Sequence, residues 1–194
     1  MRLTIAFLAI TSLLLPGCRR REPQADVGRL LLELRDDDPR KSGPARLKLV
    51  TLGEPAVPAL VELLRSGSPA ERTAAANVLW GMGARARAAV PVLAETLADP
   101  DPALRVTAAM ALQGNGPAAV PAVPALVRAL SDADNRVRQA AVKALGAIGP
   151  GASPALPELV RALRRSSWPE AEEAVRKIRG LGPRVAIDEA SGTP

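Results

Sequence analysis

Leu97–Gly116 reads LADPDPALRVTAAMALQGNG, and Leu130–Gly149 reads LSDADNRVRQAAVKALGAIG. Shifted by 33 residues, the two segments share a leucine, an aspartate-rich turn, an arginine, Ala-Leu and a closing glycine. The same period extends outward in both directions. Pro58, Pro91, Pro124 and Pro157 keep it, and so do Gly83, Gly116, Gly149 and Gly182. A fixed period of this length marks a stack of like units, each unable to bury its apolar face alone.

Each unit reads as a helical hairpin. Leu60, Leu93, Leu126 and Leu159 form one column of the first helix, and Leu64, Leu97, Leu130 and Leu163 form a second. Val57, Val90, Val123 and Leu156 stand before the prolines, so the i, i+3, i+7 spacing lays one apolar stripe along a helix. The prolines fall in the first turn, where a missing N–H costs nothing. The second helix opens at Ser68, Asp101, Asp134 and Ser167, residue types that accept from free first-turn N–H groups. Its buried columns are Ala75, Ala108, Ala141 and Ala174; then Leu79, Leu112, Leu145 and Ile178; then Met82, Asn115, Ile148 and Leu181. The glycine column then ends it. The expected helices are about 10 to 12 residues long with short turns between them.

Composition supports this and closes much of enzymology. Apolar residues make up 47% of the 194, but aromatics only 2%, so the core is built from Ala, Leu and Val and suits close helix packing. With no histidine, the chain lacks the commonest general acid/base and metal ligand. Its single cysteine, Cys18, has no internal disulfide partner. Glu54, Glu62, Glu95, Glu158 and Glu170 are scattered, and no carboxylate pair, phosphate loop or metal-ligand spacing emerges. The expectation is a protein with no catalytic residues, no cofactor and no metal. The basic balance, with a formal charge of +6, invites nucleic acid. Three of the cations are Arg19-Arg20-Arg21 outside the repeats, and stacking aromatics are nearly absent, so nucleic acid is not expected as a partner.

The first residues read as an address. Arg2 precedes the apolar run Leu3–Leu15, which is shorter than the ~20 residues needed to span a bilayer and fits a secretory signal. Leu15-Pro16-Gly17-Cys18 resembles a bacterial lipobox, with Pro16 a less usual member. The resemblance implies cleavage before Cys18 and acylation of its sulfur, giving a stable anchor. Cleavage removes one cation, Arg2, and lowers the formal +6 to +5. An ordinary free cysteine after a cleavable signal is the competing reading. Arg19 stands where an aspartate would favour inner-membrane retention, so the resemblance points to the outer membrane or its periplasmic face. The chain thus divides into a signal at 1–17, a lipidated Cys18 with a basic tether at 18–24, a divergent capping hairpin at 25–53, four repeats at 54–182 and a disordered tail at 183–194.

The repeats resemble HEAT repeats, especially the short bacterial type related to phycobilin lyases, clearly over 54–182 and weakly over 25–53. That implies a right-handed all-α solenoid of about five hairpins. It also implies a ladder between neighbours, with Asp99 and Asp132 paired to Arg72, Arg105 and Arg138; a basic binding stripe is the alternative reading of those arginines. At the ends the ladder columns lapse to Ser66, Arg165 and Ala171. In this family the second helices line the concave side. Their exposed stripe reads Thr73, Asn77, Trp80; Val106, Met110, Gln113; Gln139, Lys143, Gly146; and Glu172, Arg176, Arg179. Trp80 is either an interface anchor or packed under the N-terminal cap. The resulting expectation is a monomeric, lipid-anchored scaffold for a protein partner. A lyase or chromophore-handling protein and a structural spacer are the alternatives. Hydroxylases built on such repeats hold iron with His-Glu pairs, which this chain lacks.

Overall fold

A computed structural model describes residues 23–36, 38–165 and 168–181. The signal, Cys18, the residues of the tether up to 22, Ser167, Gly182 and the tail at 183–194 lie outside them, as do the side chains of Leu163 and Arg165. The described residues form helices only. They are α1 (Pro23–Leu34), α2 (Pro39–Leu52), α3 (Val57–Ser66), α4 (Pro69–Met82), α5 (Val90–Thr96), α6 (Pro102–Asn115), α7 (Val123–Ala129), α8 (Asn135–Ile148), α9 (Leu156–Arg165) and α10 (Pro169–Ile178). Pro23 and Gln24, read from sequence as tether, open α1.

The second helices α4, α6 and α8 begin as their sequence dictates, whereas α10 begins at Pro169 after Trp168, which makes no side-chain cap, instead of at the expected Ser167. Ser68 and Glu71 form a reciprocal capping box, with Ser68 N–H donating to the Glu71 carboxylate at 2.7 Å. Asp38, Asp101 and Asp134 accept from the backbone N–H two residues on, at 2.9, 2.9 and 2.7 Å. Each has a second aspartate two residues before it. Asp36, Asp99 and Asp132 accept the N–H of the capping residue at 2.9 Å, so one Asp-x-Asp pair fixes the turn and starts the helix.

The ends of those helices show where the repeat holds and where it lapses. Gly53, Gly83, Gly116 and Gly149 all have positive φ, with ψ near −135°. That combination is open to glycine and strained for any residue with a Cβ. The last helix differs. Gly180 N–H donates to the Lys177 carbonyl and Leu181 N–H to the Arg176 carbonyl at 2.9 Å, the two bonds of a Schellman motif. The chain therefore leaves the helix after Ile178, Gly180 takes the left-handed role expected of Gly182, and Leu181 is 56% exposed instead of buried. Replacing Gly116 by alanine is expected to cost about 1–3 kcal/mol, since a Cβ there meets nothing closer than 3.8 Å and only the backbone is strained. Gly28→Ala, in open space on α1, should instead stabilise by up to ~1 kcal/mol. Urea unfolding of both variants checks the contrast, and equal shifts would contradict it.

Helix lengths and turns depart from expectation. The second helices α2, α4, α6 and α8 run to 14 residues, while α5 and α7 have only 7. What sequence suggested as a plain turn is a seven-residue 3₁₀ segment at Gly83–Ala89, Gly116–Ala122 and Gly149–Ala155. Each sends two alanines into the core, Ala86 and Ala89, Ala119 and Ala122, Ala152 and Ala155, all fully buried. Between Gly53 and Pro58, where the sequence is three residues shorter, the segment shrinks to Glu54–Ala56.

The second helices form one continuous row, α2 against α4, α4 against α6, α6 against α8 and α8 against α10. The first helices α3, α5 and α7 touch their neighbours more sparsely, and the 3₁₀ segments pack on one another between the two rows. The alanine column allows the close row: Ala75, Ala108, Ala141 and Ala174 are buried. Leu60, Leu93, Leu126 and Leu159 and the column Leu79, Leu112, Leu145, Ile178 fill the space between rows, each at most 4% exposed. The result is an α-solenoid with one unbroken core.

Candidate protein-binding face

Two arginine–aspartate contacts cross between hairpins. Arg72 of α4 pairs with Asp99, and Arg105 of α6 grips Asp132 through two hydrogen bonds of 2.8 Å. The same arginine also donates to its own turn, to the carbonyls of Asp99 at 2.8 Å and Pro100 at 3.1 Å. One guanidinium thus closes its own hairpin and holds the next. Its hydrogen bonds hold the Asp132 carboxyl below the usual range, and burial opposes them only in part. Arg138 keeps the inner half of this pattern, donating to the carbonyls of Asp132 and Ala133 at 2.7 and 2.9 Å. The carboxylate column has become Arg165, and among the described residues Arg138 donates to backbone and to Asn135. In the same column of α10, Ala171 is buried. At the other end Arg35 meets Glu71 of the capping box at 2.5 Å, linking the first hairpin to the second. The arginines face turns and carboxylates.

The stripe along the second helices is only partly open. Trp80, Gln113, Lys143, Glu172 and Arg179 are exposed; Thr73, Asn77, Val106, Met110, Gln139 and Arg176 are half-buried. Val106 and Met110 pack on the core while keeping one edge in solvent. Gly146 is buried, which corrects its place in the stripe: a Cβ there would come within 3.2 Å of Ala174. It is a close-approach position between α8 and α10.

Trp80 does not lie under the N-terminal hairpin. A Cβ on Gly114 of the next helix would stand 3.8 Å from the indole Cδ1, so the ring leans over α6 and remains 45% exposed. One repeat earlier Val50 lies over Gly81 in the same way, with 3.0 Å from a built Cβ to Val50 Cγ2. Large over glycine is the rule at these two junctions, and at Trp80 it leaves an aromatic face in solvent. Asn77 lines a groove with Ser42, Gly43 and Arg46 between α2 and α4. Gln113 and Lys143 line another between α8 and α10, beside Glu170, Glu173 and Lys177. The row therefore runs from aromatic and apolar at α4 and α6 to mixed charge at α8 and α10.

Sequence reading stopped the stripe at Thr73, but α2 continues it. Ala45 and Leu49 are fully buried as Ala75 and Leu79 are, which puts Gly43, Leu47 and Val50 in the stripe positions. The matching Ala-x-x-x-Leu spacing carried that signal. Among the described residues no cluster of His, Cys, Asp or Glu could hold a metal, and no helix is long and apolar enough to cross a membrane.

A family model for HEAT repeats matches residues 57–122 and 90–179. Among solved structures, the chain is similar to the complex of CpcE and CpcF of phycocyanin lyase from Nostoc sp. PCC7120. The TM-score is 0.65 at 22% identity, over 80% of this chain and 99% of that one. An engineered protein is similar at 25% identity and TM-score 0.58, over 79% and 77% of the two chains. So is a designed armadillo repeat protein in complex with the peptide (KR)4, at 18% identity and TM-score 0.58, over 78% and 80%. No curated protein matches the sequence.

Proposed function

The chain belongs to the HEAT-repeat family, and on that premise we propose that it is a non-catalytic scaffold, anchored to a bacterial cell envelope through an acylated Cys18, that holds a protein partner along its second-helix face. One observation carries the choice of face: Trp80, one of two tryptophans, stands 45% exposed on α4 and leans over Gly114 of α6, the helix that carries half-buried Met110. Rigid aromatics with an apolar surround are what interface hot spots are made of. The stack also suits an extended segment, because successive helices offer equivalent positions at intervals of about 8–10 Å.

A photo-reactive residue in place of Gln113, exposed between the two halves of the row, should give discrete protein adducts in the native envelope. Trp80→Asp with Met110→Asp should remove those adducts while the helical circular dichroism persists. Trp80→Ala, which trims an exposed ring only, should weaken them severalfold. Adducts that survive both variants place the partner elsewhere, and no adduct at all favours a spacer. The lyase alternative draws on the likeness to phycocyanin lyase, which at 22% identity carries the fold alone. Turnover or a covalent adduct with a bilin chromophore would support it.

A further inference from the structure

We propose that the N-terminal end of the solenoid rests on an anionic lipid surface, with Leu47 and Leu32 entering the headgroup layer and Lys48 and Arg40 meeting the phosphates. This goes beyond partner binding and rests on the tethering read from Cys18.

The end is built unlike the junctions made by α4, α6 and α8; only α10 also carries a lysine in the equivalent column among the described second helices, Lys177, which lies beside Gly146 of α8. Val78, Ala111 and Ala144, which face the preceding hairpin in α4, α6 and α8, are fully buried. In α2 the same column holds Lys48, which is exposed, and the column of Gly81, Gly114 and Ala147 holds Thr51. With Lys48 and Thr51 in those columns, the end does not present the small apolar surface of the central junctions. Nor is it simply polar. Leu47 and Leu32 are 66% and 64% exposed, the most exposed large apolar residues among those described. Leu47 and Lys48 share a groove with Asp26, Arg29 and Leu30 between α1 and α2.

Charge favours lipid phosphate. Helix α2 carries Arg40, Lys41, Arg46 and Lys48 and no acid. Lys41 is engaged with Asp36 at 2.8 Å, and Asp26 and Glu33 of α1 are both within 4 Å of Arg29. Arg40 and Lys48 have no ion pair among the described residues, and Arg40 lies two turns before Leu47 on one face. Leucines flanked by long cations suit an interface in which apolar groups sink and cations reach to the phosphates. Position agrees. Cys18 stands five residues before Pro23, the start of α1, a reach of at most about 18 Å. An acylated Cys18 therefore keeps this end at the bilayer, with α9 and α10 at the far end of the stack.

The chain purified from its own membranes, with Leu47→Cys carrying a nitroxide, should float with phosphatidylglycerol vesicles. Its label should be severalfold less accessible to a water-soluble nickel chelate than a label at Arg161→Cys on α9. Arg40→Glu with Lys48→Glu, or phosphatidylcholine in place of phosphatidylglycerol, should remove most of that shielding. A chain that floats with both labels equally accessible overturns the surface and leaves the tether standing. A chain that stays at the bottom of the gradient overturns both. Shielding in detergent with spin–spin broadening would assign the end to a second copy, and shielding that needs added envelope protein would assign it to a protein. Either result sinks the lipid assignment.

Discussion

Leu112→Ala is expected to lower the free energy of unfolding by about 3 kcal/mol, within the 2–5 kcal/mol range for emptying a packed leucine site. Leu112 is fully buried in the last turn of α6, in the row where α6 packs on both α4 and α8. The alanine column around it consists of side chains too short to lean into a cavity, so the site cannot collapse. Stacked repeats are held by nearest-neighbour interfaces, so a loss at the central hairpin weakens both of its junctions. Urea unfolding should show the midpoint falling and the single transition broadening or splitting. Leu47→Ala, at the exposed equivalent of a stripe position, should shift the midpoint little. A Leu112→Ala loss below about 1 kcal/mol would mean the column is not the core of the stack.

The architecture was legible because stacking repeats its demands every 33 residues. Leucine, alanine and N-cap columns follow from needs that each hairpin meets alike; the described residues place the leucines and alanines in the core, and Ser68, Asp101 and Asp134 at the starts of α4, α6 and α8. Two features escaped for physical reasons. The segment Gly83–Ala89 carries no helical amphipathic pattern, because a 3₁₀ turn that buries one alanine in three looks like an alanine-rich loop. The last helix ends on Gly180 because a local Schellman motif outweighs the period, and two glycines two residues apart cannot be ranked from sequence. The candidate face was harder to read. Its positions follow from helix geometry, but the exposure of Trp80 depends on Gly114 of the next repeat, and the burial of Gly146 depends on Ala174 of the next helix. Those are contacts between repeats, on which the period within one repeat is silent.

Such contacts make Arg105 the sharpest test of how the units are joined. Arg105→Ala should cost about 2–3 kcal/mol, because it removes a bidentate charge-assisted pair and strands Asp132, whose side chain is 12% exposed. Part of that loss comes from the carbonyls of Asp99 and Pro100, so the ladder is isolated by a cycle with Asp132→Asn. A coupling energy of about 1–2 kcal/mol is expected for a contact that joins two repeats. The pH dependence has a definite sign. The folded Asp132 carboxyl is held below its unfolded value, so its contribution is full above the unfolded pKa of about 4 and fades as pH falls through the lower folded value. The wild type should lose stability along that acid limb, and Arg105→Ala should follow a flatter one, the two curves converging at low pH. Arg136→Ala is the control. Asp134 is held at about 2 by the Arg136 guanidinium and its backbone N–H, but both groups belong to one turn. Removing Arg136 should raise that pKa without weakening the joint between repeats. Zero coupling between Arg105 and Asp132, with parallel acid limbs, would leave the apolar columns alone to hold the repeats together.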